Sequence, residues 1–111
     1  MIAAVEPSIY VFAMRRLEAI ERLGKNADRF REVGVAALYL FGSTARDEAH
    51  PDSDIDVFVD IRPGERFSLL DLLELKERLE AVLGTKADVM TRSSLHRVLR
   101  DDIQREAVRV F

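Results

Sequence analysis

The apolar positions fall into helical stripes separated by short, nearly continuous apolar runs. In residues 8–23, Ile9, Phe12, Ala13, Leu17, Ile20 and Leu23 recur at helical spacing, with Ser8 as N-cap and Gly24 as stop. A shorter helical piece over 27–33 ends at Gly34. Residues 35–41 then run apolar from Val35 through Leu38, Tyr39, Leu40 and Phe41, a length and content that predict a strand covered on both faces. Gly42 and Ser43 break that strand, and 43–49 predict a short helix before Pro51. A second strand over 55–61 is closed by Pro63 and Gly64. Ser68 and Asp71 form a capping box for a helix that Gly84 ends, with Leu69, Leu72, Leu73, Leu79 and Leu83 as its stripe and Leu75 and Val82 broadening it. A third strand over 86–90 precedes a last helix over 95–108, carrying Leu95, Leu99, Ile103 and Ala107. The expected order is α-β-α-β-α-β-α, an α/β fold.

Composition sharpens this in three places. A chain of 111 residues supports one compact domain spanning 1–111. The absence of Cys excludes a disulfide scaffold, a Cys-ligated zinc site and a thiol nucleophile, and suits a reducing cytoplasm. A formal charge of −3 argues against direct nucleic-acid binding through bulk electrostatics, while leaving room for a local phosphate site. No apolar run is long enough to span a membrane, and Glu6 and Pro7 interrupt any leader-like start.

One segment carries chemistry. Gly42-Ser43 falls where a buried strand turns into a helix, so a ligand can approach the backbone closely. Ser43 is expected to cap that helix, with its hydroxyl and the N–H groups that follow facing an anion. Arg46, one turn on, adds positive charge. Taken alone this is also an ordinary turn.

The acids change its weight. Asp54 and Asp56 stand two apart on a strand, on one face and about 7 Å apart. At that range two carboxylates repel by roughly 2–3 kcal/mol at an effective dielectric of about 20, which a hard cation such as Mg²⁺ relieves. Asp88, inside an apolar short strand, is a third candidate. Asp60 reads as structural, and Asp47, Glu48 and Asp52 as solvated loop charges. His50 and His96 lack ligand-like spacing, and Tyr10 and Tyr39 read as core or boundary residues. Arg92, Arg97, Arg100, Arg105 and Arg109 fit a solvated helix face or a contact with an acidic partner. Three carboxylates beside a phosphate-cradling turn point to metal-assisted phosphoryl or nucleotidyl transfer, one of them orienting or deprotonating the attacking oxygen.

Gly42-Ser43, ten intervening residues, then Asp54-x-Asp56 resembles the G-S-x10-D-x-D signature of the DNA polymerase β-type nucleotidyltransferase superfamily. The wider string from Phe41 to Asp60 is similar to the minimal nucleotidyltransferases (MNT). The resemblance implies a mixed three-stranded sheet flanked by helices, ending in a helix over 99–108. It implies Asp54, Asp56 and Asp88 as a catalytic triad binding Mg²⁺, two ions in all, and Gly42, Ser43, Thr44 and Arg46 as the nucleotide-binding set. Small members act as antitoxins beside a HEPN-domain ribonuclease toxin, transferring AMP from ATP to a toxin tyrosine. The resemblance therefore implies a cytoplasmic antitoxin in a hetero-oligomer with its toxin. Non-catalytic binding of the toxin and transfer to a small-molecule acceptor are the alternatives. Asp47 departs from the family, where many relatives carry Gly after the Arg; Asp tolerates the left-handed conformation such a Gly adopts.

Overall fold

In the computed structural model, which describes residues 14–111, five helices surround a four-stranded sheet. The order is α1 (Arg16–Lys25), α2 (Ala27–Arg31), β1 (Val35–Phe41), α3 (Gly42–Ala45), β2 (Ile55–Ile61), α4 (Leu69–Leu83), β3 (Ala87–Thr91), a 3₁₀ turn at Arg92–Ser94, α5 (Arg100–Glu106) and β4 (Val108–Arg109). The spatial order is β3-β2-β1-β4. β1 pairs antiparallel with β2 and with β4, while β2 and β3 run parallel, so the sheet is mixed as expected. No described helix is long and apolar enough to cross a membrane.

The expected third strand lies one residue later than its sequence pattern placed it. The fourth strand was not foreseen. The expected helix over 95–108 is shortened to Arg100–Glu106 instead, because Leu95 is extended (φ −60°, ψ 138°) and the chain after Glu106 runs alongside β1, pairing Val108 with Leu40 and Arg109 with Tyr39. Val110 N–H donates to the Leu38 carbonyl (2.8 Å) and Leu38 N–H to the Phe111 carbonyl (3.0 Å), prolonging that ladder. Leu95, Ile103 and Ala107 still pack together, around Phe41 and Phe58, whereas Leu99 is exposed.

The first helix runs through Gly24 to Lys25 rather than stopping at it. Its expected start, with Ser8, Ile9, Phe12 and Ala13, lies outside the described residues. On α4 the capping box forms as expected: Asp71 N–H donates to Ser68 Oγ and Ser68 N–H to Asp71 Oδ2, and Gly84 closes the helix in the left-handed region. Its buried line is Leu75, Leu79 and Leu83, with Leu72 and Val82 beside them. Leu69 (70% exposed) and Leu73 (50%) are not part of it. At about 100° per residue they fall more than 100° around the helix from Leu75, so the expected stripe had joined two faces.

The main core is one layer of β1, β2 and β3 side chains against α1, α2 and α4, built on Leu23, Phe30, Leu38, Leu40, Val57 and Leu79. Both strands that lead into the polar turn after Phe41 are thereby fixed from behind.

Candidate active site

The turn after β1 is set by its backbone. Gly42 has φ +73°, and a Cβ there would lie 2.3 Å from Asp56 Oδ2, so the position demands glycine twice over. The helix that follows is a single turn, not the expected 43–49. Asp47 adopts φ +60° and ends it: Asp47 N–H donates to the Thr44 carbonyl and Glu48 N–H to the Ser43 carbonyl, a Schellman closure. Asp thus occupies the left-handed closing position that glycine most often fills.

Ser43 does not cap this helix, because the helix already begins at Gly42, with Phe41 as N-cap and no side-chain capping bond. Ser43 is half-buried at the turn. Thr44 is only 1% exposed, and its Oγ1 has no hydrogen-bond partner among the described residues. It lines a cavity of about 300 Å³ behind the turn with Met14, Arg22, His50 and Leu83.

The acids meet where the two parallel strands begin. Asp56 on β2 and Asp88 on β3 are register partners, and Phe41, the last residue of β1, pairs with Asp56 from the other side. Asp54 precedes β2 and is exposed, as is Asp88, while Asp56 is half-buried. Burial raises the Asp56 carboxyl to about pH 6, and the charges of Asp88 and Asp54 push the same way; Arg46 opposes them. All three acids are thus in electrostatic reach, although among the described residues no three acidic or imidazole side chains converge into a ligand cage.

Arg46 is held by two carboxylates. Its Nε donates to Glu48 Oε1 (3.0 Å) and its Nη1 to Glu106 Oε1 (2.8 Å). Glu48, exposed in the loop as expected, is thus also an ion-pair partner. Asp47 is likewise engaged, accepting the backbone N–H of Arg16 at 3.0 Å and so satisfying a donor at the start of α1. Glu106 was not singled out from the sequence; it lies sixty residues from Arg46, and no local pattern connects them.

Asp60 is structural, as expected. Arg92 grips it with two bonds, Nε to Oδ1 (2.7 Å) and Nη2 to Oδ2 (2.9 Å), and its guanidinium lies over the rings of Tyr39 and Phe58. Arg92 thus belongs to the fold rather than to a solvated face. Asp60 and Arg92 line a cavity of about 710 Å³ at the far end of β2 from Asp56.

A family model described as the nucleotidyltransferase domain matches residues 20–110. The chain belongs to that family. Two curated relatives agree. Protein adenylyltransferase MntA of Thermococcus cleftensis is 43% identical over 88% of this chain and 99% of its own. A Methanocaldococcus jannaschii protein, named provisionally as a protein adenylyltransferase, is 51% identical over 70% of this chain and 82% of its own. A solved structure described provisionally as a minimal nucleotidyltransferase superposes with TM-score 0.72 at 34% identity, covering 86% of this chain and 95% of that one. At 19% identity, and so as evidence of fold alone, the MNT antitoxin complex with the tri-AMPylated HEPN toxin of Shewanella oneidensis gives TM-score 0.59 over 83% of this chain and 71% of that one.

This nucleotidyltransferase is an enzyme of a family that acts on nucleotides, typically with a divalent metal. Its sheet carries one strand more than the resemblance implied, and its closing helix gives way to that strand.

Proposed function

We propose that this nucleotidyltransferase is an antitoxin that transfers AMP from ATP to a tyrosine of a cognate HEPN-type ribonuclease toxin, in the cytoplasm and within a complex of the two. The reading is carried by the pairing of Asp56 with Asp88 against the Gly42 turn. We read residues 1–111 as a single minimal domain, which the family match over 20–110 supports.

The donor set fits Mg²⁺. Asp54, Asp56 and Asp88 offer hard carboxylate oxygens, and the charges of Asp88 and Asp54 add to the burial that raises the Asp56 carboxyl, a repulsion that a divalent ion relieves. When bound, two such ions neutralise the triphosphate and acidify the attacking hydroxyl. The chain's own residues do the positioning. Gly42, Ser43 and Thr44 let the backbone approach the phosphates, and Arg46 adds positive charge. Asp88 orients the acceptor hydroxyl. Its oxygen forms a bond to the α-phosphorus as the bond to the β-phosphate oxygen breaks, pyrophosphate leaves, and the phenolic proton passes to solvent. Catalysis of this kind is placement and charge stabilisation, with no covalent enzyme intermediate.

The test is incubation with the protein encoded beside it, Mg²⁺, and ATP labelled at either the α- or the γ-phosphate. Label on the partner from α-labelled ATP alone supports nucleotidyl transfer. Label from γ-labelled ATP alone makes the reaction a kinase reaction. No label with a stable complex favours inhibition by contact, and neither label nor complex favours a small-molecule acceptor.

A further inference from the structure

We propose that Glu106 is a positioning residue that holds Arg46 in the orientation from which it meets the nucleotide phosphates. The proposal rests on the reading of Arg46 as a phosphate-binding residue. Arg46 stands on a weak support: it is the C-cap of a four-residue helix, followed at once by the left-handed Asp47. A long, half-exposed side chain on such a turn samples many rotamers. Glu48 accepts its Nε–H but sits two residues away on the same turn, so that bond ties the loop only to itself.

Glu106 is different. It is the last residue of α5, and the chain beyond it is fixed at once by β4, where Val108 pairs with Leu40 and Arg109 with Tyr39. Within and after α5, Ile103 and Ala107 pack on Phe41 and Phe58, and Phe41 directly precedes Gly42. Glu106 is thus anchored to the strand from which the nucleotide turn emerges. Its bond to Nη1 transfers that rigidity to the guanidinium across sixty residues of chain. A guanidinium carries five N–H donors; these two bonds occupy Nε and one Nη1 hydrogen, and no hydrogen bond among the described residues engages Nη2. That edge remains for phosphate oxygens. The arrangement also explains why a carboxylate stands at a helix C-terminus, where the helix dipole disfavours it: the arginine offsets the penalty.

Two effects of Glu106 on a polyanionic ligand have opposite signs. Through space its negative charge repels the triphosphate, so removing it strengthens binding. By holding Arg46 it aids the triphosphate, so removing it weakens binding. Calorimetric titration of the full chain with a non-hydrolysable ATP analogue and Mg²⁺ separates them. Glu106→Ala is expected to weaken binding about three- to fivefold, the range of a single exposed ion pair. Glu106→Gln, which keeps an acceptor oxygen of the same reach, should retain most of the affinity. Glu106→Asp, which keeps the charge but falls short by one methylene, should lose it, a result that repulsion alone does not produce. In an Arg46→Ala background Glu106→Ala should cost nothing further. Unchanged or tighter binding by Glu106→Ala, or an equal loss without Arg46, overturns the proposal. If Glu106→Ala does not fold, the Gln and Asp variants decide in the same way. Failure of the unaltered protein to bind the analogue overturns the nucleotide-site reading, and this proposal with it.

Discussion

Gly42 and Asp56 are packed so closely that no side chain fits between them: a Cβ on Gly42 would stand 2.3 Å from Asp56 Oδ2. The end of β1 and the start of β2 are therefore fitted to each other, and the carboxylate lies directly against the turn. Gly42→Ala must displace the carboxylate and adopt φ +73°. It should cost about 1–3 kcal/mol of stability in urea unfolding and remove nucleotide binding, measured by the same titration.

Asp56 sets a pH dependence. In the folded protein its carboxyl holds its proton to about pH 6, against 3.8 for the ordinary group, chiefly because it is buried. Between those values the folded state binds more protons than the unfolded state, so this group makes stability fall as pH rises from about 4 to 6 and then level off. Asp56→Asn removes the penalty. Its unfolding midpoint should match the unaltered protein below about pH 4 and exceed it at pH 8, by on the order of 1 kcal/mol after solvent screening. An equal midpoint at pH 8 would show that the carboxylate is not under strain.

Asp47 does two separable things, adopting a left-handed backbone and accepting the Arg16 N–H. Asp47→Gly relieves the first and loses the second, so its stability should change by less than about 0.5 kcal/mol. Asp47→Ala keeps the strain and loses the bond, and should cost about 1–2 kcal/mol in chemical denaturation.

The Arg92–Asp60 pair lies at the far end of β2 from the acids and should matter only to the fold. Arg92→Lys loses the two-pronged bond and the stacking on Tyr39 and Phe58. A drop of about 1–2 kcal/mol with unaltered affinity for the ATP analogue is expected.

Much of this was legible in the sequence, for identifiable reasons. β1 and β2 are buried on both faces, so they read as apolar runs, and the Ser68–Asp71 box and Gly84 mark both ends of α4 by local chemistry. The Gly42-Ser43 turn and the acids at 54, 56 and 88 were visible because each sits at the end of a strand or inside one. β4 was hidden because it is two residues long and Ala107 just before it continues a helical spacing begun at Leu95. Leu69 and Leu73 misled because leucine content alone does not tell which face of α4 meets the sheet. The bonds from Arg46 to Glu106 and from Asp47 to Arg16 join residues sixty and thirty-one apart, and only the folded chain brings them together.

The central claim, transfer of AMP through Asp54 and Asp56, is tested most directly by the intact mass of the partner toxin after incubation with ATP and Mg²⁺. With the unaltered protein the toxin should gain one or more AMP units, and with a folded Asp54→Asn/Asp56→Asn variant it should gain none. Equal gain with that variant, or no gain with the unaltered protein, would contradict the account.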